Sequence, residues 1–161
     1  MNLSDIAFNK RDGLSVIDLR LRHMDPLEHS QPVTVLLIDD NFEDRKSWSA
    51  ALKNQPFEFL VLEADCGESG IKLCESQQVD CVVLDLEMPE SGLFTLLRLI
   101  PDSTRHHVPV VILTKLAQPA LLKLMINLGA YECLMKEYCS AEKLANTIGQ
   151  AMASAKSKRA I

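Results

Sequence analysis

The chain has 161 residues, of which 47% are hydrophobic and 24% are charged, and its formal net charge is −5. This size and balance are typical of one globular domain with its own core, and they exclude a disordered chain or a disulfide-stapled mini-protein. The acidic charge argues against a nucleic-acid-binding surface, and no apolar run approaches the roughly 20 residues of a membrane-spanning helix. We therefore expect neither nucleic acid nor membrane as a partner.

Strand-like and helix-like segments alternate from residue 33 onward. The first apolar run, Val33–Ile38, is rich in β-branched residues, as in a strand buried on both faces. Similar runs predict further strands at 57–63, 79–84, 108–113 and 131–135. Helical spacing and capping residues predict five helices: one with Phe42, Trp48, Ala51 and Leu52 facing inward, one over 67–77, one over 93–100, one from Pro119 to a cap at Gly129, and one capped by Ser140.

This alternation predicts an α/β fold, an open parallel sheet with helices on both faces. In such a sheet the ligand crevice lies at the carboxyl ends of the strands. Polar side chains follow the first, third, fourth and fifth strands at these ends: Asp39, Asp40, Asp85, Thr114 and Lys136. We expect them to form one site.

The chemistry of these five residues is coherent. Carboxylates from Asp39, Asp40 and Asp85 in one crevice repel one another and require a cation, and their hard oxygen atoms suit Mg²⁺. A carboxylate beside that ion can attack phosphorus and form an aspartyl-phosphate. The hydroxyl of Thr114 and the ammonium of Lys136 would then hold the phosphoryl oxygens.

Both ends of the chain differ from this pattern. Residues 1–31 are more polar and are set apart by prolines, and their spacing fits a helix and a strand equally well. We expect a partly ordered or helical arm. Residues 156–161 form a short basic tail. Five cysteines without a Cys-x-x-Cys motif, and no secretory signal, predict reduced thiols in a cytoplasmic protein.

Four stretches carry a family resemblance: 35–41 with the Asp39-Asp40 pair, 82–89 with Asp85 and Pro89, 109–114, and 129–136. Across residues 32–155 the sequence resembles the receiver domain of two-component response regulators. The resemblance implies the flavodoxin-like (βα)5 fold of the chemotaxis regulator, with strand order 2-1-3-4-5.

The resemblance also implies a role for each site residue. Asp85 is the expected phosphoacceptor, and Asp39 and Asp40 are the expected metal pair. Asp85 and the backbone carbonyl of Glu87 would complete the Mg²⁺ ligands. Thr114 and Lys136 would contact the phosphoryl group, and Cys133 occupies the switch position.

A receiver implies particular partners. The expected phosphoryl donor is a sensor histidine kinase or a phosphotransfer protein, and the output is a protein–protein contact with a partner that the sequence does not name. The chain would not be an enzyme beyond catalysing its own phosphoryl transfer and dephosphorylation. A homodimer formed through the face of helix 4, strand 5 and helix 5, or through the N-terminal arm, is an alternative that the sequence leaves open.

Four positions depart from the family pattern. Cys133 replaces the usual aromatic residue at the switch position. Glu137 replaces the proline after the lysine, so a trans bond is expected there. Lys115 stands where a small residue is common, and it would restrict access to the phosphoryl site. The loop between Pro89 and Gly92 is one residue shorter than usual.

Three other functions share some features with this sequence. The departures at Cys133 and Glu137 favour a degenerate receiver that binds proteins independently of phosphorylation. A haloacid-dehalogenase-type phosphatase is disfavoured because it needs Asp-x-Asp, whereas Asp39 is followed by Asp40 and Asn41. A flavin-binding flavodoxin is disfavoured because no phosphate-cradling loop follows the first strand.

Overall fold

The computed structural model describes residues 31–88, 92–100 and 108–159. The predicted N-terminal arm, except Gln31, lies outside this part of the chain, as does Pro89. Predictions about the arm therefore stay predictions.

Five strands and five α-helices alternate along the described chain, as the sequence predicts. The strands are β1 Val33–Ile38, β2 Phe59–Ala64, β3 Cys81–Leu84, β4 Val110–Thr114 and β5 Glu132–Met135. The helices are α1 Phe42–Lys53, α2 Gly67–Ser76, α3 Gly92–Leu99, α4 Pro119–Asn127 and α5 Ala141–Arg159, with a 3₁₀ turn at Lys136–Tyr138 before α5.

The predicted starts of β2, β3 and β4 are each two residues too early. Val79, for example, is buried although it precedes the ladder of β3. The backbone there is held by the next residue, since Asp80 donates its N–H to Thr34 O and accepts the Thr34 N–H on its carboxylate. Apolar character thus reports burial, and it does not mark where strand pairing begins.

The sheet is entirely parallel, with strand order β2-β1-β3-β4-β5, as the resemblance implied. Register brings the strand ends together: Ile38 pairs with Leu84, and Thr114 pairs with Met135. Asp39, Asp85 and Lys136 directly follow three of these paired residues. The fold therefore delivers the predicted site residues to one edge.

The sheet separates two apolar clusters because side chains of a strand alternate between its faces. Val35 and Leu37 of β1 pack on the face covered by α1 and α5, with Leu52 and Ile148. Leu36, Ile38 and their neighbours pack on the opposite face. That second cluster includes Leu84, Leu96, Ile112 and Met125, which places α3 and α4 on this face.

Local capping explains where the helices begin and end. Asn41 caps α1 by accepting the Asp44 N–H, and Ser140 caps α5 by accepting the Lys143 N–H. Gly129 follows α4 with a φ of +113°, which favours glycine. The predicted inward position of Phe42 is wrong: its side chain is 57% exposed because it lies at the first residue of α1, outside the sheet-facing stripe.

Helix α5 runs to Arg159, so the first residues of the predicted basic tail are helical. Among the described residues, no helix is both long enough and apolar enough to cross a lipid bilayer.

Candidate functional site

Three carboxylates meet at the carboxyl edge of the sheet. One oxygen each from Asp39, Asp40 and Asp85 lies within 4.8 Å of the others. Asp39 and Asp85 are 1% and 2% exposed, whereas Asp40 faces solvent. The predicted carboxylate cluster is therefore assembled, with two members buried and one at the surface.

Backbone hydrogen bonds orient the two buried carboxylates. Asn41 N donates to Asp39 Oδ1 at 2.8 Å, and Glu87 N donates to Asp85 Oδ1 at 3.0 Å. The Oδ2 atom of each carboxylate lies on the other side, where it accepts a hydrogen bond from Lys136 Nζ. The Glu87 peptide thus lies beside Asp85, while its side chain is exposed.

Lys136 supplies the positive charge between these carboxylates. Its side chain is 4% exposed, and Nζ lies 2.7 Å from both Asp39 Oδ2 and Asp85 Oδ2. A third contact, at 2.9 Å, joins Nζ to Asp44 Oδ2. Burial disfavours the ammonium form, but the three carboxylates outweigh burial and raise the pKa of Lys136 above its ordinary value.

The pKa of Asp39 depends mainly on the burial of its carboxyl group. Burial raises the pKa of its carboxyl, and the hydrogen bond and charge of Lys136 only partly oppose that rise. A buried carboxylate of this kind benefits from a nearby cation. Arg45 brings a further positive charge close to Asp39, because its Nη1 donates a hydrogen bond to the Asp39 backbone carbonyl at 2.6 Å.

Asp44 is a site residue that the sequence reasoning missed. It lies in the first turn of α1, and its Oδ2 accepts hydrogen bonds from both Lys136 and Lys115, the latter at 2.6 Å. Burial raises the pKa of Asp44, but the two lysines outweigh burial and lower it overall. An acid in the first turn of a helix usually serves the helix end, so the sequence offered no separate signal.

Cys133 lies in β5 as predicted, whereas Thr114, which was predicted to follow the fourth strand, is the last residue of β4. Thr114 is fully buried at the end of β4, and its Oγ1 accepts the Leu116 N–H at 3.2 Å. Cys133 is partly buried, and its thiol points to Leu122 O at 3.7 Å. Burial raises the pKa of this thiol to about 11. The bond between Lys136 and Glu137 is trans, since the described chain has no cis peptide bond.

The donor set of the cluster fits Mg²⁺. Three carboxylates, one of them at the surface, offer hard oxygen ligands and leave room for water. A groove of about 530 Å³ opens beside the cluster and is lined by Asp44, Ser47, Trp48, Lys115, Lys136 and Glu137. The groove is open to solvent and reaches the cluster at Lys136, which contacts both buried carboxylates.

Comparison with known proteins agrees with this geometry. The family model of the response regulator receiver domain matches residues 35–149. The protein-glutamate methylesterase/protein-glutamine glutaminase 1 of Myxococcus xanthus is 33% identical over 104 residues, covering 65% of this chain and 30% of that protein. A receiver domain from Clostridium thermocellum superimposes with a TM-score of 0.67 and 27% identity, covering 77% of this chain and 97% of that one.

The response regulator UvrY of Escherichia coli is also 33% identical over 104 residues, covering 65% of this chain and 47% of UvrY. The match thus spans less than half of UvrY and under a third of the Myxococcus xanthus protein. Activities of those whole proteins therefore do not transfer with the match.

Proposed function

The chain belongs to the response regulator receiver domain family, and from this membership we propose that it accepts a phosphoryl group on Asp85. The observation that carries the proposal is the contact of 2.7 Å between Lys136 Nζ and Asp85 Oδ2, in a carboxylate cluster whose members Asp39 and Asp85 are buried. The donor is the phosphohistidine of a sensor histidine kinase or of a phosphotransfer protein. This chemistry belongs to a two-component signalling pathway.

Mg²⁺ would be held by Asp39, Asp40, Asp85 and the backbone carbonyl of Glu87. When bound, the ion would offset the negative charge of the phosphoryl oxygens and of the attacking Asp85 carboxylate. The carboxylate cluster supports this assignment, because the single positive charge of Lys136 does not balance three carboxylates.

The protein's own residues account for the remaining steps. An oxygen of Asp85 attacks phosphorus as the bond from phosphorus to the donor nitrogen breaks, and the donor imidazole takes up a proton. Lys136 turns one N–H toward the transferred phosphoryl oxygens. The Thr114 hydroxyl, which now accepts the Leu116 N–H, rotates to donate to another phosphoryl oxygen. Water later attacks phosphorus, breaks the bond to Asp85 and releases inorganic phosphate.

Output would occur by protein–protein contact in the cytoplasm, without catalysis beyond the chain's own phosphoryl chemistry. Exposed apolar side chains on α4 and just before β5 support a contact face there; they are Leu124, Ile126 and Tyr131. This is the face on which the phosphorylated state would be read by a partner or by a second copy.

Intact mass spectrometry after incubation with Mg²⁺ and acetyl phosphate tests the phosphoacceptor. We expect one added phosphoryl group on the wild type and none on Asp85→Asn, which keeps the shape of the side chain. Beryllofluoride binding covers the case of a short-lived adduct. Failure of both assays on folded protein would overturn the proposal and favour a receiver that binds partners independently of phosphorylation.

A further inference from the structure

Two ammonium groups share a single oxygen atom at the edge of the site. Asp44 Oδ2 accepts from Lys115 Nζ at 2.6 Å and from Lys136 Nζ at 2.9 Å, and Lys136 also contacts Asp85 Oδ2 at 2.7 Å. Three successive contacts, through Asp44 and Lys136, therefore link Lys115 Nζ to the Asp85 carboxylate. Unlike the buried Lys136, Lys115 has a half-exposed side chain, so packing does not fix its position.

On the premise that Asp85 is phosphorylated, we propose that Lys115 is a second phosphoryl-binding cation, which Asp44 holds in place in the unphosphorylated protein. A phosphoryl group increases the negative charge on Asp85 and presents three strong acceptor oxygens. The single charge of Asp44 is already divided between two ammonium groups. Charge-assisted bonds to the more highly charged phosphoryl group therefore draw Lys115 away from Asp44.

The charge balance of the site supports this role. Asp44 alone would place an additional carboxylate close to the incoming phosphoryl group and repel it. Lys115 cancels that charge, so the pair leaves the net charge of the site unchanged. When Lys115 turns to the phosphoryl group, it continues to neutralise the region while gaining a stronger anionic partner.

The backbone links this movement to Thr114. Lys115 lies between Thr114 and Leu116, and the bond from Leu116 N to Thr114 Oγ1 closes a short loop around it. When the Thr114 hydroxyl rotates toward the phosphoryl group, that bond is released. The reorientation of Thr114 and the transfer of Lys115 are then parts of one local change.

Trp48, the single tryptophan of the chain, lines the same groove as Lys115 and provides a fluorescence signal. Wild type and Lys115→Met are titrated first with Mg²⁺ and then with beryllofluoride, a mimic of the phosphoryl group. We expect about three- to tenfold weaker beryllofluoride binding by the variant, because a half-exposed charge contact is lost. Mg²⁺ binding should be equal or tighter, since a repelling cation has been removed.

Two further variants serve as controls. Lys115→Arg keeps the charge and should restore most of the affinity for beryllofluoride. Lys46→Met is the matched control, because Lys46 is similarly exposed and lies 2.9 Å from its own carboxylate partner, Glu63, and it should behave as wild type.

Each outcome decides the proposal. Equal beryllofluoride affinity in wild type and Lys115→Met would overturn it. Lys115 would then serve only to neutralise the charge of Asp44. Faster association at unchanged affinity would also overturn it, because Lys115 would then only restrict access. Weaker binding of both Mg²⁺ and beryllofluoride would indicate general damage and count against a specific contact. If folded wild type neither binds beryllofluoride nor gains a phosphoryl group in the mass assay, the phosphoacceptor function itself is overturned, and the inference with it.

Discussion

Replacing Lys136 with methionine removes the cation from the centre of the site and keeps a side chain of similar length. The ammonium lies 2.7 Å from an oxygen of Asp39 and from one of Asp85. At an effective dielectric constant of about 20, each contact corresponds to roughly 6 kcal/mol of attraction before desolvation is subtracted. Because removal of one partner leaves buried charges unpaired, we expect a net loss of about 3–5 kcal/mol in the free energy of unfolding.

Protons and Mg²⁺ should each reduce this loss. Burial already raises the pKa of Asp39, and without Lys136 that pKa rises further. A carboxyl group whose pKa is higher in the folded protein than in the unfolded protein favours folding at pH values below its unfolded pKa. That contribution is lost as the pH rises through its folded pKa. The deficit of Lys136→Met should therefore be larger at about pH 8 than at about pH 5. Saturating Mg²⁺ should restore part of the stability at the higher pH by pairing with the same carboxylates.

Urea unfolding in chelator and in Mg²⁺, at both pH values, measures these effects. Lys143→Met is the control, because Lys143 forms a half-exposed pair with Glu132 at 3.3 Å and should change stability by less than about 1 kcal/mol. If Lys136→Met unfolds in chelator within about 1 kcal/mol of wild type, the ammonium is not compensating the buried carboxylates, and the electrostatic reasoning fails.

Three further substitutions test the surroundings of the site by urea unfolding. Gly92→Ala places a Cβ 2.9 Å from the Leu86 backbone oxygen, so we expect a loss of about 1–3 kcal/mol; unchanged stability would contradict this close approach. Asp44→Asn should lower the free energy of unfolding by about 1 kcal/mol at neutral pH. Since the pKa of Asp44 is lowered in the folded protein, this deficit should vanish as the pH falls through that pKa. A deficit that persists in acid would contradict the ion-pair origin. Ile148→Ala should cost about 2–5 kcal/mol because Ile148 is fully buried, and a cost below that range would indicate that the core collapses around the cavity.

Sequence patterns predicted the strands and the carboxylate cluster because both follow from simple periodicities. A buried parallel strand is apolar throughout, and residues directly after paired strand ends must converge. Asp39 and Asp85 follow Ile38 and Leu84, which pair in the sheet, so their proximity was encoded locally. The family resemblance added the strand order, which no local pattern contains.

The contacts of long side chains were not predictable in the same way. Lys115 was expected to restrict access, and its bond with Asp44 depends on how α1 is set against the end of β4. Phe42 shows the same limitation: helical spacing placed it inward, whereas at the first residue of α1 it is exposed. Such contacts depend on how helices and strands are placed relative to one another, which sequence spacing does not reveal.

The bond between Lys136 and Asp39 also has a consequence for the order of events during synthesis. It joins residues that are 97 positions apart, and Lys136 follows β5, an edge strand of the sheet. A chain emerging from the ribosome can pair β1, β2 and β3 before Lys136 has been synthesised. Until β5 is added, Asp39 and Asp85 lack the ammonium of Lys136, so we expect the site to be completed only in the last stage of folding.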